Sequence, residues 1–174
     1  MLSKTIEEAL NEQVALEAFS SNQYLAMASW MDQQGFEGTA TFLYEQSDEE
    51  RMHMMKLFHY INDAGGFAIT PALESPVLEF DNYKSTFELI LQQEQKVSNA
   101  IHGLVNKSLE AKDYTTHNFL QWYVSEQLEE EAMFRTILDK LKIIGDNSAA
   151  LYMLDRDLKS MAGEDAELDS QMGE

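Results

Sequence analysis

The chain contains no cysteine. That absence removes disulfides, thiolate zinc sites and iron–sulfur clusters together. Proline is almost missing, and both copies, Pro71 and Pro76, fall in one stretch, so helices elsewhere meet no obligatory break. Basic residues are scarce: 12 against 31 acids, a formal net charge of -19. Such a charge argues against nucleic acid and anionic membrane as partners and favours cations. No apolar run approaches the roughly 18 residues of a membrane span, so none is expected. Near the N-terminus Glu7 and Glu8 stand where a secretory signal would be apolar, and the expected location is cytoplasmic.

What is present reads as helix. The 174 residues, 44% of them apolar, suit one domain with a sizeable core. A first helical pattern opens at Thr5-Ile6-Glu7-Glu8, a capping-box spacing, and stops at Gly35. A second runs from about Gly38 to Gly65. A third opens at Ser85-Thr86-Phe87-Glu88, again with box spacing, and reaches about Lys112. A fourth follows Asp113 and ends before Gly145, and a short fifth spans about Ser148 to Met161. Residues 35–37 and 112–114 are tight connections that join antiparallel neighbours. The stretch from Gly65 to about Lys84 is long for a turn and can instead run the length of a bundle. The predicted fold is therefore all-α: a four-helix bundle with a long crossover between helices 2 and 3, plus a short fifth C-terminal helix. Residues 1–161 make the domain, 162–174 an acidic tail expected to be mobile, and strand content is expected to be near nil.

Each long pattern carries a seam at alternating spacings of three and four. The first reads Leu10, Val14, Glu17, Ser21, Tyr24, Ala28, Met31. The second reads Leu43, Gln46, Glu50, His53, Leu57, Tyr60, Ala64. The third reads Phe87, Ile90, Glu94, Val97, Ile101, Leu104, Ser108, and the fourth Leu120, Tyr123, Gln127, Glu130, Phe134, Ile137, Leu141. An acid interrupts every seam near its middle, although an unpaired buried carboxylate is strongly disfavoured. Antiparallel packing brings Glu17, Glu50, Glu94 and Glu130 to one level. The two halves also repeat: 94 − 17, 127 − 50 and 130 − 53 all equal 77, so Glu50-x-x-His53 in one hairpin answers Gln127-x-x-Glu130 in the other. One acid in a seam is ordinary; four in register with an imidazole one turn away form a metal-ligand constellation. Two divalent ions would neutralise four carboxylates, and oxygen donors with one imidazole suit Fe(II), Mn(II) or Zn(II) rather than Cu(I). Glu50 is the expected bridge, since His53 beside it occupies one metal. Tyr24, seven residues after Glu17 on the same face, should lie close by.

Glu17, Tyr24, Glu50-Arg51-Met52-His53, Glu94 and the segment Phe119-Leu120-Gln121-Trp122-Tyr123-Val124-Ser125-Glu126-Gln127 through Glu130 resemble the bacterial non-haem ferritins. The resemblance runs from Met1 to about Lys159 and is most specific over Asn118 to Glu131. It implies a diiron centre with Glu17, Glu50 and His53 on the first iron and Glu50, Glu94 and Glu130 on the second. Gln127 would stand nearby as a neutral ligand or hydrogen-bond donor. Glu49, Glu126 and Glu129 would form a third iron site, and Tyr24 is a candidate one-electron donor. The implied activity is ferroxidase: Fe(II) is oxidised by O2 or peroxide and the ferric product stored as a mineral. The implied assembly is a cage of twenty-four subunits, with the fifth helix on a symmetry axis. Haem is not expected. Haem-binding relatives carry Glu-x-x-His in both hairpins and a Met directly after the first Glu, where this chain has Glu130 and Arg51; Met52 is one position off, about 100° around the helix. His59, His102 and His117 have no partner at ligand spacing. Two rival readings remain: a diiron oxidase that keeps its metals as a fixed cofactor, and a non-catalytic helical assembly protein with solvated acids.

Overall fold

Four of the five helices start where the chain supplies an acceptor for orphan backbone N–H groups, and the fifth case is settled from a distance. In a computed structural model, the backbone is described for residues 2–172 and the side chains for residues 2–162. Helix α1 spans Lys4–Gln33, α2 Glu37–Asp63, α3 Tyr83–Glu110, α4 Tyr114–Ile144 and α5 Ser148–Met172. Among the described residues there is no strand, and no helix is long and apolar enough to cross a membrane.

Two of the expected caps are displaced. Helix α1 is capped by Ser3, whose Oγ accepts from the Ile6 N–H at 3.3 Å, so Thr5 lies inside the first turn and no box forms there. Helix α3 does begin with a capping box, built from Asn82 and Ser85. Asn82 Oδ1 accepts from Ser85 N–H at 2.9 Å and Ser85 Oγ from Asn82 N–H at 3.1 Å. Glu88, read from sequence as the box acid, pairs with Lys84 instead. Asp113 caps α4 through the Thr116 N–H at 3.0 Å.

Helix α2 has Phe36 at its cap position, with no side-chain acceptor. Asp155 of α5 supplies one from across the fold. Its carboxylate accepts from the backbone N–H groups of Gly38 and Thr39, at 3.2 and 2.8 Å, and from the Thr39 hydroxyl at 2.7 Å. This close approach requires glycine at position 38, because a Cβ there would lie 2.0 Å from the Asp155 carbonyl oxygen. Leu154 and Leu158 are buried beside it. Leu151, Leu154, Leu158 and Met161, which share one face of α5, are thus covered by its folding back on the bundle. The helix also outlasts the sequence expectation, continuing past Met161 to Met172: Gly163 costs only about 1 kcal/mol in a helix. The mobility expected of residues 162–174 starts at Ala162, which is buried, while the side chains of residues 163–174 lie outside the described residues.

Helix α1 packs on α2, α3 on α4, and α1 on α3, while α5 rests mainly on α2. The crossover, residues 64–82, lies along α1. Near one end Asn11 donates to Phe67 O at 3.1 Å and accepts from Ile69 N–H at 2.7 Å. Further along, Gln23 donates to Val77 O at 3.1 Å and accepts from Val77 N–H at 2.9 Å, and beyond it Trp30 meets the Phe80 ring edge-on. Two side-chain amides thereby satisfy an extended segment that has no ladder partner.

The seams face inward as their spacing requires. Every seam residue of α3 and α4 is buried; Ser21, Tyr60 and Ala64 are the half-buried members of the other two. The core falls into two apolar clusters, and each helix passes from one to the other at its acid. Val14, Leu57, Val97 and Tyr123 belong to one cluster; Tyr24, Leu43, Ile90 and Phe134 belong to the other. The order of passage makes α1 antiparallel to α2, α2 parallel to α3 and α3 antiparallel to α4, which is the topology a long crossover produces.

Candidate metal centre

Between the two apolar clusters lies a polar layer shielded from solvent. Glu17 and Glu94 are wholly buried, Glu50 and His53 are 1% exposed, and Glu130 is 7% exposed. Carboxylates this deep are not all ionised without cations. Burial, followed by the charges of Glu94, Glu17 and Glu130, holds the Glu50 carboxyl well above the usual range. Burial also raises Glu17, against the hydrogen bonds it receives from Glu50 and Gln13. Burial, then the charges of Glu94, Glu49 and Glu17, raises Glu130. Glu94 is pushed up to about 7 by burial, the Tyr24 hydrogen bond opposing. His53 moves the other way, to about 4, through burial and the nearby Lys56 charge. Its imidazole is therefore neutral at ordinary pH, the form that binds metals.

Two sets of ligand atoms converge, and they have the same members as the two sets the resemblance implies. Glu17, Glu50 and His53 offer atoms within 4.8 Å of one another, as do Glu50, Glu94 and Glu130. Glu50 is common to both. A third set, Glu49, His53 and Glu130, meets the same criterion and joins the outer acid Glu49 to the centre. His53 Nδ1 stands 3.8 Å from both Glu50 Oε2 and Glu130 Oε1. Buried Glu17 Oε2, Glu50 Oε2 and Glu94 Oε2 have no hydrogen-bond partner among the described residues. A buried carboxylate oxygen without a partner costs about 1–3 kcal/mol or more, so three in one layer make this a candidate cation site.

Other oxygens of the layer are held. Gln13 donates to Glu17 Oε1 at 2.8 Å. The Tyr24 hydroxyl donates to Glu94 Oε1 at 2.6 Å, and burial with the adjacent acids keeps its proton on. The Gln127 amide donates to Glu130 Oε2, so in this structure Gln127 takes the donor role of the two open to it. Tyr123 donates to the His53 carbonyl at 2.7 Å, fixing that turn of α2. Trp122 abuts the imidazole edge-on at 5.2 Å, with Lys56 Nζ 3.7 Å from the indole centroid.

The outer acids Glu49, Glu126 and Glu129 open onto one cavity of about 390 Å³, whose wall includes Glu130 of the centre and Met161 of α5. Glu49 and Glu126 are half-buried and Glu129 is exposed; Glu49 accepts from Gln46 at 2.8 Å. His59 and His102 are exposed and His117 lies near Gln121, all away from the layer. Sequence reasoning missed Gln13 and Ser98, although each sits four residues from a seam acid, on the same face. It also missed Asp155, whose partners lie more than a hundred residues away and leave no periodic signal.

A family model for the ferritin-like domain matches residues 7–144. The chain is 46% identical over 162 residues to a probable bacterial non-heme ferritin-like protein of Haemophilus influenzae, covering 93% of this chain and 98% of that one. It is 43% identical over 158 residues to a bacterial non-heme ferritin of Staphylococcus aureus, covering 91% and 95%. Among solved structures it is similar to an open pore ferritin from the archaeon Archaeoglobus fulgidus, at 41% identity and a TM-score of 0.90 over 91% of this chain and 98% of that one. The matched length, the bundle topology and the acid layer agree, and the chain belongs to the ferritin-like family.

Proposed function

We propose that this chain is the subunit of an iron-storage cage that oxidises Fe(II) at the buried acid layer. The observation that carries the reading is Glu50: one buried carboxylate shared by two ligand sets, each drawn within 4.8 Å, amid unpartnered oxygens. Iron is substrate here. Glu17, Glu50 and His53 would hold one Fe(II), and Glu50, Glu94 and Glu130 the other, with Gln127 alongside. Two ions sharing a carboxylate sit about 3.5–4 Å apart in two-metal sites, close enough that each gives one electron and a single O2 or peroxide accepts the pair. Binding displaces the protons that burial keeps on the carboxyls. A ligand set rich in carboxylates stabilises the ferric product. Tyr24, bonded to Glu94, would serve as a one-electron donor.

The cavity beside Glu130 supports a third iron position at Glu49, Glu126 and Glu129, through which product leaves for the cage interior. Exposed apolar residues on several elements, Leu25, Phe67, Leu78, Leu128, Ile143 and Tyr152 among them, support burial against further copies of the chain, in the shell of twenty-four that the resemblance implies.

Aerobic titration of the purified protein with Fe(II), followed by particle sizing and iron analysis, tests the reading. A large particle whose iron content grows far beyond the centre's capacity is the expected result. Roughly two irons per chain with no mineral would instead establish a fixed two-metal cofactor, and absence of tight Fe(II) binding would establish a purely structural bundle.

A further inference from the structure

The Ser98 hydroxyl has two acceptors and one proton. Its Oγ lies 2.6 Å from Glu131 Oε1 and 3.0 Å from Gln127 Oε1. Glu131 is the stronger claimant. It is a carboxylate, the contact is shorter, and its other oxygen is fixed by Arg135 Nη1 at 2.7 Å. Charge-assisted hydrogen bonds of this length are about twice as strong as neutral ones. With the proton given to Glu131, Ser98 Oγ can only accept toward Gln127. The contact with Gln127 Oε1 is then oxygen against oxygen, and it becomes a hydrogen bond only when the amide is turned so that Nε2 points at Ser98.

At its other end the same amide touches Glu130 and reaches Glu94, two members of the all-carboxylate ligand set. An NH2 group directed there occupies carboxylate oxygens that a cation would use. A carbonyl oxygen directed there adds a neutral donor to them.

We propose that Glu131, anchored by Arg135 and acting through Ser98, is a positioning residue: when a cation occupies the second position, it turns the Gln127 carbonyl oxygen toward that cation in place of the NH2 that faces Glu130 in this structure. The inference rests on the reading of this layer as a two-iron centre. Glu131 touches no ligand of that centre in the sets described above. Gln127 touches Glu130 and reaches Glu94 but contacts neither Glu17 nor His53, so the larger effect is expected at the second position.

The test is anaerobic calorimetric titration with redox-inert Zn(II), in the intact assembly, of wild type, Glu131→Gln, Ser98→Ala and Ser98→Thr. In Glu131→Gln the new amide can donate to Ser98, which frees the Ser98 proton for Gln127 Oε1 and directs Nε2 at Glu130. The second Zn(II) should then bind about 10-fold or more weaker, in the range lost with outer-shell partners of metal ligands, while the first keeps its affinity. Ser98→Ala should show the same split, and Ser98→Thr, which retains the hydroxyl, should restore the second site. A high-resolution structure of the Zn(II) form should place the Gln127 oxygen toward the second metal, and Glu131→Gln should reverse it. Equal loss at both sites, or wild-type affinity in both Glu131→Gln and Ser98→Ala, would overturn the proposal while leaving the two-metal reading intact. A wild type with no tight Zn(II) site would overturn both.

Discussion

The two hairpins are versions of one plan, and they differ where it matters for iron. Residue 53 in the first hairpin and residue 130 in the second are equivalent by the 77-residue offset, yet one is His and the other Glu. The first ligand set, Glu17, Glu50 and His53, lies at most 1% exposed in the layer. Its imidazole is neutral, and Gln13 steadies Glu17. The second set, Glu50, Glu94 and Glu130, is carboxylate throughout. Its outer member borders the cavity of acids, and hydrogen-bonding groups surround it: Tyr24 on Glu94, Gln127 on Glu130 and Ser98 against Gln127. A closed half with a fixed ligand suits retention. An open half, with ligands that repel one another when empty, suits loading and release. On the proposed reading, this asymmetry would separate a centre that passes iron on from one that keeps it.

The largest effect is expected where the hairpins meet. Glu50→Ala removes a ligand from both sets. Rapid Fe(II) oxidation should fall by more than the roughly 10–100-fold that loss of an outer-shell partner costs. The metal-free bundle should stay folded, relieved of one buried carboxyl among like charges. Stopped-flow absorbance and thermal unfolding check the two halves of this statement. Glu130→Ala breaks only the second hairpin's contribution. Anaerobic titration should then show one tight site per chain, and oxidation needing two irons should slow sharply.

Next in size is the pH dependence of the metal-free protein. Glu94 has a folded pKa of about 7 against an ordinary 4.5, so between those values the folded state holds a proton the unfolded chain has released. Its stability contribution falls as pH rises through that window. Glu17, Glu50 and Glu130 act in the same sense. His53, lowered from 6.5 to about 4, works in the opposite sense below 6.5 and adds no slope above it. Four carboxylates outweigh one imidazole, and the melting temperature should fall as pH is raised from about 5 to about 7.5. Saturating Zn(II) should remove most of that fall. A flat profile without metal would mean that the acids of both hairpins are better solvated than their burial implies.

The smallest effect on the first turnover is expected from the outer layer. Replacing Glu49, Glu126 and Glu129 together by Ala leaves every ligand of the two inner sets in place, so the first two-iron oxidation should keep its rate. Repeated additions of Fe(II) should slow, and the iron-to-oxygen ratio should change. Oximetry over successive additions reads both, and wild-type behaviour throughout would reduce these acids to a solvated face.

The sequence made the centre legible because its signal is periodic. Glu17, Glu50, Glu94 and Glu130 intrude on seams whose spacing fixes direction, and helix packing does the rest. Topology was legible from loop length alone, since residues 64–82 had to travel somewhere. Cap positions were less so: Thr5 and Ser85 satisfy the box spacing on paper, but Ser3 and Asn82 stand earlier in the chain and take the role. The Asp155 contact with Gly38 and Thr39 could not be read, because a cap supplied by another helix has no local pattern. The Ser98–Glu131 relay was hidden for a related reason. Glu131 lies off the seam, and only the packed structure brings its carboxylate to a hydroxyl on α3.

Anaerobic titration of the wild-type protein with Fe(II), read by calorimetry, tests the central claim most directly. Two irons per chain should bind in two distinguishable steps, the first tighter and lost together with the second in Glu50→Ala, the second alone lost in Glu130→Ala. Two equivalent sites, or sites that survive Glu50→Ala, would contradict a shared carboxylate between unequal halves.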